Sequence, residues 1–194
     1  MGLRMRDINR REFLKYSIMF WVSLVASDSF ASRFSGDSFD ESSASVRVFL
    51  GREPTLSTNV RDSKIEYPIV AGSKRNYPTP KGVFSIEKII YRPNWYPPRS
   101  SSWVKNNCKL MAYIKNTDNV DKNGNVFVPY GHEFHPLGEW KIGFYDSYYI
   151  HGAGDFAIEM GRRYASHGCI RMRDGDIGDV VSFCKEYSPL IYIS

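Results

Sequence analysis

Cysteine is scarce in this chain of 194 residues: there are three, at 108, 169 and 184. They show no Cys-x-x-Cys pair, and the four histidines show no His-x-x-x-His spacing, so the usual sequence marks of a zinc site are missing. Long apolar runs are missing too. "YSIMFWVSLVA", Tyr16 to Ala26, is about half the length a membrane-spanning helix needs. Charge of one sign is not gathered anywhere: the net +5 is spread without a basic block, and no aromatic and basic residues interleave as they do to hold nucleic acid. A polyanionic envelope or a merely solvated surface fits that charge. No internal repeat is present, which excludes a solenoid.

What is present begins with a targeting signal. Arg4, Arg6, Arg10, Arg11 and Lys15 precede the apolar run, and "SFA" at Ser29 to Ala31 offers a cleavage site, so residues 1–31 read as a signal peptide. "RREFLK", Arg10 to Lys15, resembles the twin-arginine export motif; an ordinary secretory signal and a retained anchor are the alternatives. No cysteine follows the run, so a lipoprotein anchor is not indicated, and no membrane span is expected after cleavage. The expected location is the periplasm or cell envelope. Residues 32–44, serine-rich and without period, read as a linker, and residues 45–194 as one domain.

Within that domain, "VRVFL", "KIEYPIVAG", "GVFSIEKIIY" and the terminal "LIYI" are rich in β-branched and aromatic residues and predict strands. "KLMAYIKN" and "VFVPY" flank "DKNGN", whose Asn123-Gly124 is a hairpin turn signal. The same stretch only partly mimics a calcium loop, because its twelfth position is Tyr130. Residues 92–107, rich in Pro, Trp and Ser, predict a long surface loop or lid. Asp174 to Tyr187 carries Ile177, Val180, Val181 and Cys184 at helical spacing. The fold class is therefore mostly β, a β-rich α+β domain with one late helix.

In an oxidising compartment an odd number of cysteines leaves at least one unpaired; Cys108 and Cys184 could bridge, leaving Cys169 free. Cys169 lies in "YASHGCIRM", among small and polar residues rather than core neighbours. A thiol turns nucleophilic when it is accessible and a base takes its proton. His167, two residues away, and His151, at the end of an expected strand, are the candidates. Gly168 permits tight backbone geometry in which N–H groups face an oxyanion. Zinc held by His151, His167 and Cys169 with His132 or His135, a wall-binding module with a structural cysteine, and chance clustering are the competing readings.

"HGAGDFAIEMGRRYASHGCIRM", His151 to Met172, resembles the signature of the L,D-transpeptidase catalytic domain family: a histidine, fourteen residues, then Ser-His-Gly-Cys, with Gly161 in place. "YPTPKGVFSI", Tyr77 to Ile86, and "HPLGEWKIGF", His135 to Phe144, resemble two further family blocks in the right order. The resemblance implies a mixed β-sandwich-like domain over residues 45–194 with one helix after the cysteine, acting on peptidoglycan stem peptides without metal or other cofactor. Cys169 would be the nucleophile, His151 its base and His167 a polarising residue of the pocket. Ser166, Gly168 and the Gly152 carbonyl would support them. Arg171 would brace the loop or bind a carboxylate. At most one of Tyr148 and Tyr149, on alternate faces of a strand, would line the cleft. The resemblance also implies the outcome: a thioester resolved by a neighbouring stem amine gives a 3→3 cross-link. Water would make the enzyme an L,D-carboxypeptidase, a lysine of an envelope protein would make it a protein–wall ligase, and an existing cross-link as donor would make it a hydrolase. A catalytically silent wall-binding module is the rival from another class. No separate wall-binding domain is expected beside the catalytic one.

Overall fold

A computed structural model of the chain describes residues 44–99 and 101–194; the signal peptide and nearly all of the linker expected from the sequence lie outside the described residues. Two sheets carry the fold. The first has five strands in the order β3-β2-β1-β11-β5, formed by β1 (Ser45–Phe49), β2 (Thr55–Val60), β3 (Ser63–Pro68), β5 (Gly82–Phe84) and β11 (Leu190–Ile193). β1 pairs parallel with β11, so the two ends of the domain are joined side by side. The second has four strands in the order β10-β8-β7-β6, formed by β6 (Lys88–Tyr91), β7 (Trp140–Tyr145), β8 (Tyr148–His151) and β10 (Ile170–Arg171). A two-stranded parallel pair, β4 (Ala71–Gly72) and β9 (Tyr164–Ser166), completes the β structure.

The main core lies on the inner faces of both sheets. Val46, Val48, Leu56 and Ile191 come from the first sheet, and Ile142, Ile150 and Ile170 from the second. The long helix expected from the sequence is present at Asp174–Tyr187 and inserts Ile177, Val180, Val181 and Cys184 into this core. Each such side chain removed from water contributes about 1.5–3 kcal/mol. A smaller cluster of Trp95, Val104, Leu110, Ile114, Val128 and Leu137 organises the segment between β6 and β7.

Two expectations are corrected here, and the cysteine pairing that the sequence left open is decided. "KLMAYIKN" is not a strand but part of a helix, α2 (Cys108–Asn116), because the Asn107 side chain accepts the Leu110 N–H at 3.0 Å and Leu110 and Ile114, four apart, bury one stripe. The loop at 92–107 contains a short helix, α1 (Ser102–Asn106), whose Val104 is fully buried, so the Pro-rich part is a loop and its end is not. Among the described residues three short helices, α3 (Asp155–Glu159) included, precede Cys169, and the helix at Asp174–Tyr187, α4, is the fourth. Cys108 and Cys184 form no bridge: Cys108 is exposed at the start of α2, Cys184 is buried in the main core, and all three thiols are free.

Candidate active site

The register of the second sheet determines what faces outward. Ile142, Ile150 and Ile170 lie in one row across β7, β8 and β10, all fully buried. Strand pleating sends neighbouring residues to the other face. Lys141, His151 and Arg171, which also stand opposite one another, therefore form a row on that other face, and Tyr149 and Cys169, two positions earlier, accompany them. This face floors a cleft of about 980 Å³, walled by Tyr77, Trp95, Trp103 and Leu137. No aspartate or glutamate lines it among the described residues.

Cys169 is half-buried, and burial pushes its thiol above the ordinary value. The Tyr149 N–H, directed at the sulfur, and the Arg171 and Lys141 charges pull the other way without cancelling that effect. The Sγ also lies 3.9 Å from the Ser147 carbonyl.

His151 is 3% exposed. Burial, reinforced by the Arg171 charge, pushes its imidazole down to about 3, so it is neutral at ordinary pH. Its Nδ1 lies 2.8 Å from the Gly152 carbonyl. A carbonyl only accepts, so Nδ1 carries the proton and Nε2 keeps the lone pair of a base. The backbone behind it makes this possible. Ala153, in the left-handed region at φ 58°, donates its N–H to Asp174 Oδ1 at 2.8 Å. A Cβ on Gly152 would collide with that same carboxylate oxygen. The carbonyl of His151 meanwhile accepts the Met172 N–H at 2.8 Å, which ties the histidine to the chain just past β10, three residues after the cysteine.

The turn before Cys169 is built just as tightly. Ser166 Oγ accepts the Gly168 N–H at 3.1 Å and donates to the Cys169 carbonyl. Gly168 has φ +104°, and a Cβ there would strike the ring of Tyr148, so only glycine suits the position. Thr79 Oγ1, also buried, donates to the Gly168 carbonyl at 2.9 Å and accepts the Gly72 N–H at 2.8 Å. The Gly168 N–H, one of the donors expected near an oxyanion, thus has Ser166 Oγ as its partner.

The remaining expected residues separate. Tyr149 lines the cleft, whereas Tyr148 turns the other way and packs on Gly168 and the main core. His167 is exposed at the rim, tilted against Tyr77 at 4.5 Å between ring centres, and Trp103 stands 6.3 Å away. Partial burial and Arg171 push its imidazole down. The histidines weighed as further zinc ligands are engaged elsewhere: His135 Nε2 lies 2.6 Å from the Pro93 carbonyl and His132 packs against Tyr113. Among the described residues no three His, Cys, Asp or Glu side chains gather as a metal site. Sequence reasoning missed Thr79, Asp174 and Lys141. Only Thr79 had a signal, as the threonine of "TP" in "YPTPKG".

In comparison with known proteins, the model of the L,D-transpeptidase catalytic domain matches residues 49–191. No curated protein matches. Similar solved structures include L,D-transpeptidases from Enterococcus faecium (14% identity, 78% of this chain and 50% of that one, TM-score 0.48) and Mycobacterium tuberculosis (13%, 78% and 57%, 0.47). A third is from Stackebrandtia nassauensis (17%, 84% and 60%, 0.42). The chain spans about half to three-fifths of the length of these proteins.

Proposed function

The chain belongs to the L,D-transpeptidase catalytic domain family, and on that premise we propose that it is a peptidoglycan L,D-transpeptidase with Cys169 as nucleophile and His151 as general base. The observation that carries the reading is the shared outward face of β8 and β10, on which a neutral imidazole and a cleft-lining thiol stand together over a cleft free of carboxylates.

In the proposed cycle His151 Nε2 takes the Cys169 proton as sulfur attacks the carbonyl of the third residue of a tetrapeptide stem. The N–H of Cys169 is the donor for the oxyanion, since that of Gly168 is engaged. The carbon–nitrogen bond then breaks, the imidazolium returns the proton to the departing D-alanine amine, and a thioester remains. The amine of a second stem, deprotonated by His151, displaces the thiolate and forms the 3→3 cross-link. His151 is suited to both proton transfers because the Gly152 carbonyl holds its tautomer without adding a negative charge. His167 and Tyr77 polarise and shape the rim, Ser166 and Thr79 hold the nucleophile's turn, and Tyr149 lines the floor. Arg171 contributes positive charge beside the thiol. The loop at 92–107 and the segment near 130–140 line the far wall and select the acceptor.

The reading includes export. Residues 1–31 are proposed to be a twin-arginine signal peptide and 32–44 a linker, which takes residues 45–194 to the wall. Among the described residues no helix is long and apolar enough to cross a membrane. Replacing Arg10 and Arg11 together by lysine should retain the protein in the cytoplasm; unchanged export would remove the twin-arginine route.

The direct assay incubates the protein and its Cys169→Ala variant with a purified disaccharide-tetrapeptide and follows products by mass spectrometry. A cross-linked dimer from the unaltered protein alone supports transpeptidation. Tripeptide alone makes it a carboxypeptidase, and no release of D-alanine from either contradicts the proposal.

A further inference from the structure

The row across the second sheet places two cations on either side of the imidazole: Lys141 opposite His151, and His151 opposite Arg171. Cross-strand neighbours have Cβ atoms about 5 Å apart, so each cation adjoins the imidazole while the two stand about 10 Å from one another at Cβ, and each also acts on the Cys169 sulfur. Both are unusually enclosed. Lys141 is only 8% exposed, and Arg171 has a buried Nε without a hydrogen-bond partner among the described residues. Buried cations are ordinarily paired with carboxylates. Here neither makes an ion pair among the described residues, and no acidic side chain lines the cleft. The Lys141 ammonium instead rests over the Tyr149 ring, 4.4 Å from its centre. Two like charges on either side of the imidazole, neither with a carboxylate partner among the described residues, form a receptor for an anion that arrives with the ligand.

Proximity to the nucleophile narrows which anion. Arg171 follows Cys169 by two residues, about 6.6 Å along a strand. In a peptide whose penultimate carbonyl is under attack, the terminal carboxylate lies one residue further on, about 3.5 Å of extended chain, and the long lysine and arginine side chains cover the difference. Resting on the proposed transpeptidase reading, we propose that Lys141 and Arg171 together bind the carboxylate that ends the donor stem. The enzyme thereby selects donors that stop at the fourth residue and discriminates against those whose terminus is extended or amidated. The two residues bind and orient; they transfer no proton in this scheme.

The test has an arm that does not depend on cross-linking. Iodoacetate and iodoacetamide alkylate a thiolate by the same displacement of iodide and differ in carrying a carboxylate or an amide. Their rate ratio therefore cancels the acidity of the thiol. Alkylation at Cys169 is followed by peptide mass spectrometry, which separates it from the exposed Cys108, and the ratio is referred to that of glutathione. The expected ratio is raised by about tenfold or more, as a cationic cleft concentrates an anion. It should fall toward that of glutathione in Lys141→Met and recover in Lys141→Arg. A ratio at the glutathione level, or one that Lys141→Met leaves unchanged in a folded protein, overturns the proposal even if the protein forms cross-links.

The second arm compares D-alanine release from the tetrapeptide with release of D-alaninamide from its terminal amide, and with D-alanine release from a stem amidated on the side-chain carboxylate of its third residue. The terminal amide should lose about tenfold or more in kcat/KM with the unaltered protein and little further with Lys141→Met. Loss on side-chain amidation instead assigns the cations to the third residue and overturns the choice of occupant. A raised alkylation ratio in a protein that acts on none of the stems defeats the transpeptidase reading, and the donor terminus as occupant with it.

Discussion

The Nδ1 of His151 faces the carbonyl of its own neighbour, Gly152, at 2.8 Å. A carboxylate in that place would favour the imidazolium; a carbonyl orients the ring with much less charge, and burial keeps it neutral. Burial thus disfavours the charged form of both groups, holding His151 down at about 3 and pushing the Cys169 thiol up.

That state has a pH signature. Because burial raises the Cys169 thiol above its ordinary value of 9.0, its alkylation by iodoacetamide should keep accelerating as pH rises through 9. A rate already at its plateau near pH 6 would show a resting ion pair and contradict the assignment.

The same burial couples His151 to stability. Its folded value of about 3 lies below the ordinary 6.5, so between these pH values the unfolded chain binds a proton that the folded one does not. The stabilisation is present in full above pH 6.5 and is lost as pH falls toward 3, at about 1.4 kcal/mol per pH unit within the window. Thermal melts from pH 7 to pH 4 should show a steep fall in Tm that is shallower in His151→Gln. Parallel curves for the two proteins would place the loss elsewhere.

Thr79 reaches across the chain to the Gly168 carbonyl while accepting the Gly72 N–H. Thr79→Val removes both hydrogen bonds and strands two buried backbone groups, which should cost about 1–3 kcal/mol. Activity should fall mainly in kcat, because the turn that carries Cys169 loosens while the cleft walls persist. A stability loss with unchanged kcat would make Thr79 purely structural. Ser166→Ala, which releases the Gly168 N–H and the Cys169 carbonyl, should act in the same direction.

Asp174 holds the other half of the site through the Ala153 N–H. Asp174→Ala should lower kcat by weakening the turn that aims the Gly152 carbonyl, and its effect should combine less than additively with that of His151→Gln. Full additivity would show that Asp174 acts independently of the histidine.

What the sequence made legible follows the reach of each interaction. The helix at Asp174–Tyr187 and the strands β1 and β11 rest on periodicities of a few residues, and they were readable. "GVFSIEKIIY" reads as one strand but divides, β5 pairing in the first sheet and β6 in the second, because partners far along the chain claim its two ends. The strand β2 and the helix α3 were missed for want of a strong local pattern. At the site, His151 and Cys169 were marked by their motif. Lys141 was not, since its orientation depends on which face of β7 meets the core, and only the buried row of Ile142, Ile150 and Ile170 decides that. The contact of Thr79 with Gly168, 89 residues away, has no counterpart in local spacing.

The central claim is that Cys169 carries the acyl group. Brief incubation with disaccharide-tetrapeptide, acid quench and intact-protein mass spectrometry should reveal an adduct equal in mass to the donor less D-alanine. Peptide mapping should locate it at Cys169, and it should be absent from Cys169→Ala. Release of D-alanine by the Cys169→Ala variant at the rate of the unaltered protein, or an adduct mapped to another residue, would contradict the account.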